Sequence, residues 1–417
     1  MVESSTITFQ CPNNHRITVP IKLAGKGGVC SKCGIKLVIP NSQPSDQDST
    51  LGSAIVNDVS SLQSSSIDLL GPPVENDLIQ QYLGSLVGET EIKDTVLSMN
   101  GIVRRHYAQD EQQQRTHDVY DLGAQAVQNC LTQEIAAITY LAAGTTYSPL
   151  AAPGFASILH NRLQERNFLN YPVEISSHAG VCSSAAAALV GAIRAITTGQ
   201  HSSALAVGAE HASEVLKASL IHPVDDRDEH ANVRNSRWFM SVFLRFMLSD
   251  GAGAFLLQNN PTASGLSLRV NWTHSLSFAH ETPMCMKLDN RTGLLSQDVS
   301  VLSRHLVPSA IKFVSSALES NSDTLDSYSI ILPHMSSFFF QRKLERIISN
   351  QSTDPLQPVP YWTDLATSGN TGAASIFVML DHYLQGHEVG DGERILLFIP
   401  ESGQFNFVMI SLTAVTQ

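Results

Sequence analysis

The chain has 417 residues, 43% of them hydrophobic and 15% charged, which is the make-up of a well-buried globular protein with room for two or three domains or one large double domain. Its formal net charge of −12 argues against a nucleic-acid or anionic-membrane partner, because both are held through an excess of Lys and Arg. Six cysteines are too sparse for a disulfide framework, and no charged-then-apolar leader or run of roughly eighteen apolar residues stands out, so a cytoplasmic protein without a membrane span is expected.

Residues 1–40 predict a zinc ribbon. Cys11 and His15 precede Cys30 and Cys33, and a short β-rich run follows each pair. Two ligand-bearing turns on two hairpins can close a tetrahedral thiolate–imidazole site in a segment too small to fold on a core alone. Cys11, His15, Cys30 and Cys33 would fill all four positions, which leaves none for water and makes the zinc structural. Residues 41–66, rich in Ser, Gln and Asp, read as a flexible linker, broken by an apolar patch at Ala54 to Val59 that suggests an edge strand.

From there the chain alternates helical and strand-like periods to its end, the signature of an α/β architecture. Asn76 to Leu83 and Asp118 to Cys130 read as helices, and Ile135 to Leu141 as a buried strand. Gly180 to Gly199 then places Cys182 at the head of an alanine-rich helix, followed by the strand Ala204 to Val207. A helix start favours an anion, so this position predicts a thiol with a lowered pKa. Asp250, in SDGAGA, reads as a turn residue, and Phe338 to Phe340 as core.

The same grammar recurs. Asn370 heads the helix in Gly369 to Leu384, a strand from Ile395 to Ile399 follows, and the strand Ser329 to Leu332 before it ends on His334. Two halves with one order of elements, 67–260 carrying Cys182 and 261–417 carrying His334 and Asn370, predict a duplicated βαβ unit about a pseudo-twofold axis. A cysteine nucleophile, a strand-end histidine and an asparagine at the twin helix start are a set able to carry an acyl group as a thioester and to stabilise a second carbonyl. A papain-like hydrolase also uses Cys, His and Asn in this order, but the CGSCW-type flank is missing and the duplication has no place in that fold.

The segments VCSSAAAAL, LAVGAE, SDGAGAFLL, PHMSS and SGNTGAASI resemble the landmarks of thiolase-fold condensing enzymes of the β-ketoacyl-carrier-protein synthase III type. VENDLIQQYLG, NGIVRRHYA, PHMSSFFF and PESGQFNF resemble, within that group, the ketosynthases that make dialkylresorcinol and stilbene precursors. The resemblance implies a layered α-β-α-β-α thiolase fold after the ribbon and a homodimer. It also implies a reaction on acyl and β-ketoacyl thioesters of coenzyme A or carrier protein, without an organic cofactor. Cys182 would be the nucleophile, and His334 and Asn370 would bind the second thioester. The backbone N–H groups of Cys182 and Gly403 would hold the first oxyanion. Arg104, Arg105, Arg342, Lys343 and Arg346 would form a docking face for an acidic carrier. Two other outcomes stay open: transfer of the Cys182 acyl group to an alcohol or amine on the same scaffold, and a non-catalytic protein that recruits a partner through the ribbon.

Overall fold

The computed structural model describes residues 6–10, 15–39, 54–61, 72–86, 88–131, 137–221, 242–289 and 294–417. These form two compact units that divide between Gly52 and Ser53.

The first unit is two hairpins. Strand β1 (Thr6–Gln10) pairs antiparallel with β2 (Arg16–Pro20), and β3 (Gly27–Val29) with β4 (Lys36–Val38). Its apolar cluster is Ile39 with the partly buried Ile17, Val19, Leu23, Ala24 and Leu37. So small a core cannot offset the entropy of ordering the segment by itself.

The second unit is built on one nine-stranded sheet. Its strands are β5 (Ile55–Ser61), β8 (Tyr140–Thr145), β9 (Glu174–Ala179), β10 (Ser203–Glu210), β11 (Gly251–Gln258), β12 (Leu266–Ser277), β15 (Ile330–Pro333), β16 (Arg394–Pro400) and β17 (Asn406–Thr416). Short pairs β6 (Val74–Glu75) with β7 (Arg104–Arg105) and β13 (Met286–Asp289) with β14 (Leu294–Gln297) lie outside it. The order across the sheet is β15-β16-β17-β12-β5-β11-β10-β8-β9. From the right, the first half runs β9-β8-β10-β11-β5. From the left, the second runs β15-β16-β17-β12, with an isolated parallel bridge from Ile331 to Tyr361 in the place that β9 takes in the first half. The halves meet where β5 pairs antiparallel with β12, Val56 opposite Leu268. The patch expected as an edge strand within a linker is therefore the interior strand at the seam. Its Ser- and Asp-rich flanks hide it in the sequence, while Ala54 and Val56 are buried.

Helices α1 (Ile79–Leu83), α2 (Glu89–Asn100), α3 (Val119–Cys130), α4 (Phe155–Glu165), α5 (Ser184–Thr197), α6 (Val299–Ser320), α7 (Gln341–Gln351), α8 (Leu365–Ser368) and α9 (Ser375–Gly386) complete the unit. Alternation along the strands sorts them into layers. Ala142, Ala206 and Leu397 face the middle cluster with α5 and α9. Leu141, Leu205 and Val207 face α3 and α4, and Leu396 and Phe398 face α6 and α7. The result is α-β-α-β-α, with the two alanine-headed helices in the centre. Close approach there requires small residues. A Cβ on Gly144 of β8 would stand 2.6 Å from the Ala185 backbone, so only glycine lets α5 lie this near the strand. Among the described residues no helix is long and apolar enough to cross a membrane.

Candidate active site

Cys182 sits in the tight connection from β9 to α5, two residues ahead of the first helical residue Ser184. The Ser184 N–H and hydroxyl both donate to the Val181 carbonyl, at 3.2 and 3.0 Å, and fix the turn. The thiol is 7% exposed. The helix start is already occupied by a carboxylate. Glu401, just past the end of β16, accepts from the N–H groups of Val181 (3.4 Å) and Ser183 (3.3 Å) and from the Ser183 hydroxyl, while Asn406 Nδ2 donates to its other oxygen at 3.0 Å. An anion satisfies the unpaired donors of a helix start, so its presence there follows from the same field expected to act on the thiol. The expected lowering of the Cys182 pKa is overturned. Burial, then the charges of Glu401 and Glu210, push the thiol well above its usual range against the weaker opposing effect of a backbone hydrogen bond.

His334 follows β15 directly and is anchored by its N–H to the Phe398 carbonyl at 2.8 Å. Its Nδ1 lies 2.6 Å from Ser375 Oγ, on the first turn of α9. Burial lowers the imidazole to about 4, so it is neutral near pH 7. Asn370 stands on a turn, not on α9 itself. Gly369 reaches it at φ +69°, and its backbone pairs with the 247–249 segment through Met247 O (3.1 Å) and Ser249 N (2.9 Å). Its Oδ1 accepts from the Gly372 N–H at 3.0 Å, which leaves Nδ2 to donate elsewhere.

Two cavities meet at Cys182, and Gln297, Ser336 and Ser402 also line both. The first encloses ≈ 630 Å³, part of it open to solvent. His334 lies on its wall, and apolar residues of α6 and α7, among them Leu306, Ala310, Leu344 and Ile347, line the rest with Phe398. The second spans ≈ 500 Å³, also partly open to solvent, and is lined by Asn370, Glu210, Thr146 and Met247. Cys182, the expected nucleophile, thus stands at the junction, with His334 on one cavity and Asn370 on the other. Glu401, Glu210 and Ser375 were not expected from the sequence. The one available signal was position: Glu210 and Glu401 both end buried strands, as His334 does.

Other expectations fare differently. Gly403 packs against Val181 so closely that a Cβ would stand 2.9 Å from its side chain, and its carbonyl accepts from the N–H groups of Cys285 and Met286. Arg105 is a correction: it is completely buried, donating to Asn76 Oδ1 at 2.7 Å and to the Phe246 carbonyl at 2.9 Å, and cannot belong to a docking face. Arg342 and Arg346 are exposed on α7, Arg104 is half-buried, and Lys343 lines the first cavity with its ammonium 5.1 Å from the ring centres of Phe339 and Phe340. Phe340 lines that cavity and Phe339 is exposed, so this triplet is less a core element than its apolarity suggests. Asp250 accepts from Ala108 N, Ser213 N and Ser213 Oγ, a structural role as expected.

In the first unit His15, Cys30 and Cys33 bring their donor atoms within 4.8 Å of one another, with His15 Nδ1 3.8 Å from Cys30 Sγ. Metal–ligand bonds of about 2.0–2.3 Å in a tetrahedron place ligand atoms roughly 3.5–4 Å apart, so these three residues fit zinc. Cys11 lies outside the described residues.

No protein-family profile matches the chain. A β-ketoacyl-[acyl-carrier-protein] synthase III of Acholeplasma laidlawii is 24% identical over 293 residues, which are 69% of this chain and 80% of that protein. FabH, the 3-oxoacyl-(acyl carrier protein) synthase III of Pseudomonas aeruginosa PAO1, superposes with a TM-score of 0.63 at 19% identity, covering 88% of this chain and 99% of that one. AbyA1, a tetronic acid condensing enzyme, gives 0.63 at 19% over 87% and 98%, and OleA of Xanthomonas campestris 0.60 at 18% over 87% and 97%. The chain has the α/β thiolase-like fold of the FabH structures.

Proposed function

We propose that the chain is an acyl-thioester condensing enzyme of the β-ketoacyl synthase III type, joining a Cys182-bound acyl group to a β-ketoacyl thioester. One observation carries the reading: Cys182 lies where two cavities meet, with His334 on one and Asn370 on the other. In the second half-reaction the Cys182-bound acyl group and the donor thioester must meet at one sulfur, and such a junction gives each of them room. In the first half-reaction the sulfur attacks an acyl thioester of coenzyme A or carrier protein, the backbone N–H groups of Cys182 and Gly403 hold the oxyanion, and the carrier thiol leaves. In the second, His334 and Asn370 bind the donor's thioester carbonyl as it becomes an enolate, and a carbon–carbon bond replaces the carbon–sulfur bond. A later conjugate addition would close a cyclohexanedione ring, the precursor of a dialkylresorcinol.

The exposed Arg342 and Arg346, with Lys343 and Arg104, are the proposed docking face for an acidic carrier. The ribbon is proposed to hold structural zinc through Cys11, His15, Cys30 and Cys33, and the chain to act as a homodimer.

The test is intact-protein mass after incubation with an acyl-coenzyme A, followed by product analysis with a 3-oxoacyl thioester. An acyl adduct absent in Cys182→Ala, and a carbon–carbon product lost by about 10³-fold or more in that variant, are expected. An esterified alcohol with no condensation product would instead identify an acyltransferase on this scaffold.

A further inference from the structure

Resting on the reading above, we propose that Glu210 is the base that takes the α-proton from the β-ketoacyl donor, a fourth catalytic residue beside Cys182, His334 and Asn370. A β-ketoacyl donor differs from a malonyl one in its chemistry. Loss of carbon dioxide generates the carbanion of a malonyl thioester, whereas a carbon flanked by a ketone and a thioester has to surrender a proton to a base.

Three observations point to Glu210. Among the described residues it is the only carboxylate lining either cavity that meets Cys182, and it shares its cavity with Asn370. Its orientation is fixed: Thr146 Oγ1 donates at 2.5 Å and the Ala373 N–H at 3.0 Å, both to Oε2, and the Thr146 backbone also donates to the carboxyl. The backbone is shaped around it, since Gly372, at φ +51°, could not carry a Cβ without overlapping Glu210 Oε2. The other candidates are less suited. Glu401 lines neither cavity and spends both oxygens on hydrogen bonds, and the His334 imidazole, deep in apolar surroundings, is a weak base. Burial raises the Glu210 carboxyl to about 7, which matches a base working near neutrality.

The step balances without an added reactant. The α C–H bond breaks, its proton passes to Glu210 and its electron pair enters the enolate held by His334 and Asn370. The α-carbon bonds the acyl carbon, the bond to Cys182 sulfur breaks, and the thiolate so released takes the proton from Glu210. Thiol and carboxylate are both restored.

The test reads proton abstraction apart from condensation. In Cys182→Ala, which cannot hold an acyl group, exchange of the α-protons of a 3-oxoacyl-coenzyme A with deuterium oxide is followed by mass spectrometry. Adding Glu210→Gln, which preserves shape, should cut the enzyme-catalysed exchange about 100-fold or more. With Cys182 present, Glu210→Gln should still form the acyl adduct and fail to condense. Exchange and condensation within a few-fold of the parent protein would overturn the proposal. Should Glu210→Gln not take an acyl group, Glu210→Asp decides: exchange above a tenth of the parent supports the base, and exchange no faster than without enzyme overturns it. Absence of any adduct in the unaltered protein would instead defeat the condensing-enzyme reading itself.

Discussion

The Cys182 thiol, the proposed nucleophile, lies under the influence of two buried carboxylates, and their effects differ. Glu401 closes the start of α5 and fixes the turn that carries the cysteine, whereas Glu210 faces a cavity. Burial and the two carboxylates therefore favour the protonated thiol, a state the sequence could not reveal. A helix start predicts thiolate, and the carboxylate that cancels the prediction comes from a strand more than two hundred residues later in the chain. Cys182, His334 and Asn370 were legible because each heads or ends an element in one of two matching segments. Glu210 was not, because a single acid closing the apolar run ALAVGAE reads as a strand end. A pH dependence follows. The titratable groups acting on Glu210 are Asp250, whose charge raises it, and Cys182 across the cavity. Condensation should rise as pH increases through about 7, where Glu210 loses its proton, and Glu210→Gln should lack this limb in a pH–rate profile. Stability should run the other way. A carboxyl whose folded pKa is raised favours the fold fully below its unfolded value near 4.3 and loses that contribution as pH climbs through about 7. Glu210→Gln should accordingly raise the melting temperature at pH 8 relative to the parent and not at pH 4, as measured by calorimetry. A gain at both values would mean that packing, not charge, is responsible.

The elements that were read correctly have local causes. Helix α3 starts where Asp118 and Asp121 form a capping box, with Asp121 N donating to Asp118 at 2.7 Å, and α5 and α9 are marked by runs of small residues that allow central packing. Local pattern could not separate the basic residues of β7 from those of α7. Arg104 and Arg105 adjoin an apolar stretch, yet pairing of β7 with β6 turns Arg105 inward, where Asn76 and the Phe246 carbonyl receive its guanidinium. On α7 the apolar Leu344, Ile347 and Ile348 take the buried face, and Arg342 and Arg346 are left outside. The two arginine sets should behave oppositely. Arg105→Ala takes a donor from Asn76 Oδ1, leaves the Phe246 carbonyl with Asn100 Nδ2 alone and empties the space of a fully buried side chain, and should cost about 3 kcal/mol in denaturant unfolding. Arg342→Ala paired with Arg346→Ala should leave stability within about 0.5 kcal/mol and raise KM for a carrier-bound substrate while that for the coenzyme A thioester stays the same. Equal effects on both substrates would place carrier docking elsewhere.

At the scale of the whole molecule, the duplication was legible and its seam was not. The matching order of strand, loop, headed helix and strand in each half is a long-range pattern that survives in sequence, whereas β5 is seven residues set among Ser, Gln and Asp. Symmetry also draws attention to the ends of the sheet. The outer edge of β15 is covered: the Ile331 N–H donates to the Pro360 carbonyl at 3.0 Å, and the Trp362 N–H to the Ile331 carbonyl at 3.0 Å. The outer edge of β9 has no strand partner among the described residues, its outward pattern is mostly exposed, and Ile175 and Tyr171 lie in the open at 39% and 36%. An uncovered edge with apolar side chains is a template for pairing with another chain, and a twofold axis passing beside β9 would join two nine-stranded sheets into one. That arrangement would put the segment leading into Cys182 next to the subunit interface, so assembly and activity should be coupled. Light scattering at micromolar concentration should return twice the chain mass for the parent protein. Ile175→Lys, which places a charge on the edge without touching either cavity, should return the chain mass and lower the rate of Cys182 acylation. A parent protein that is monomeric, or an Ile175→Lys variant that stays dimeric, would move the subunit contact away from β9.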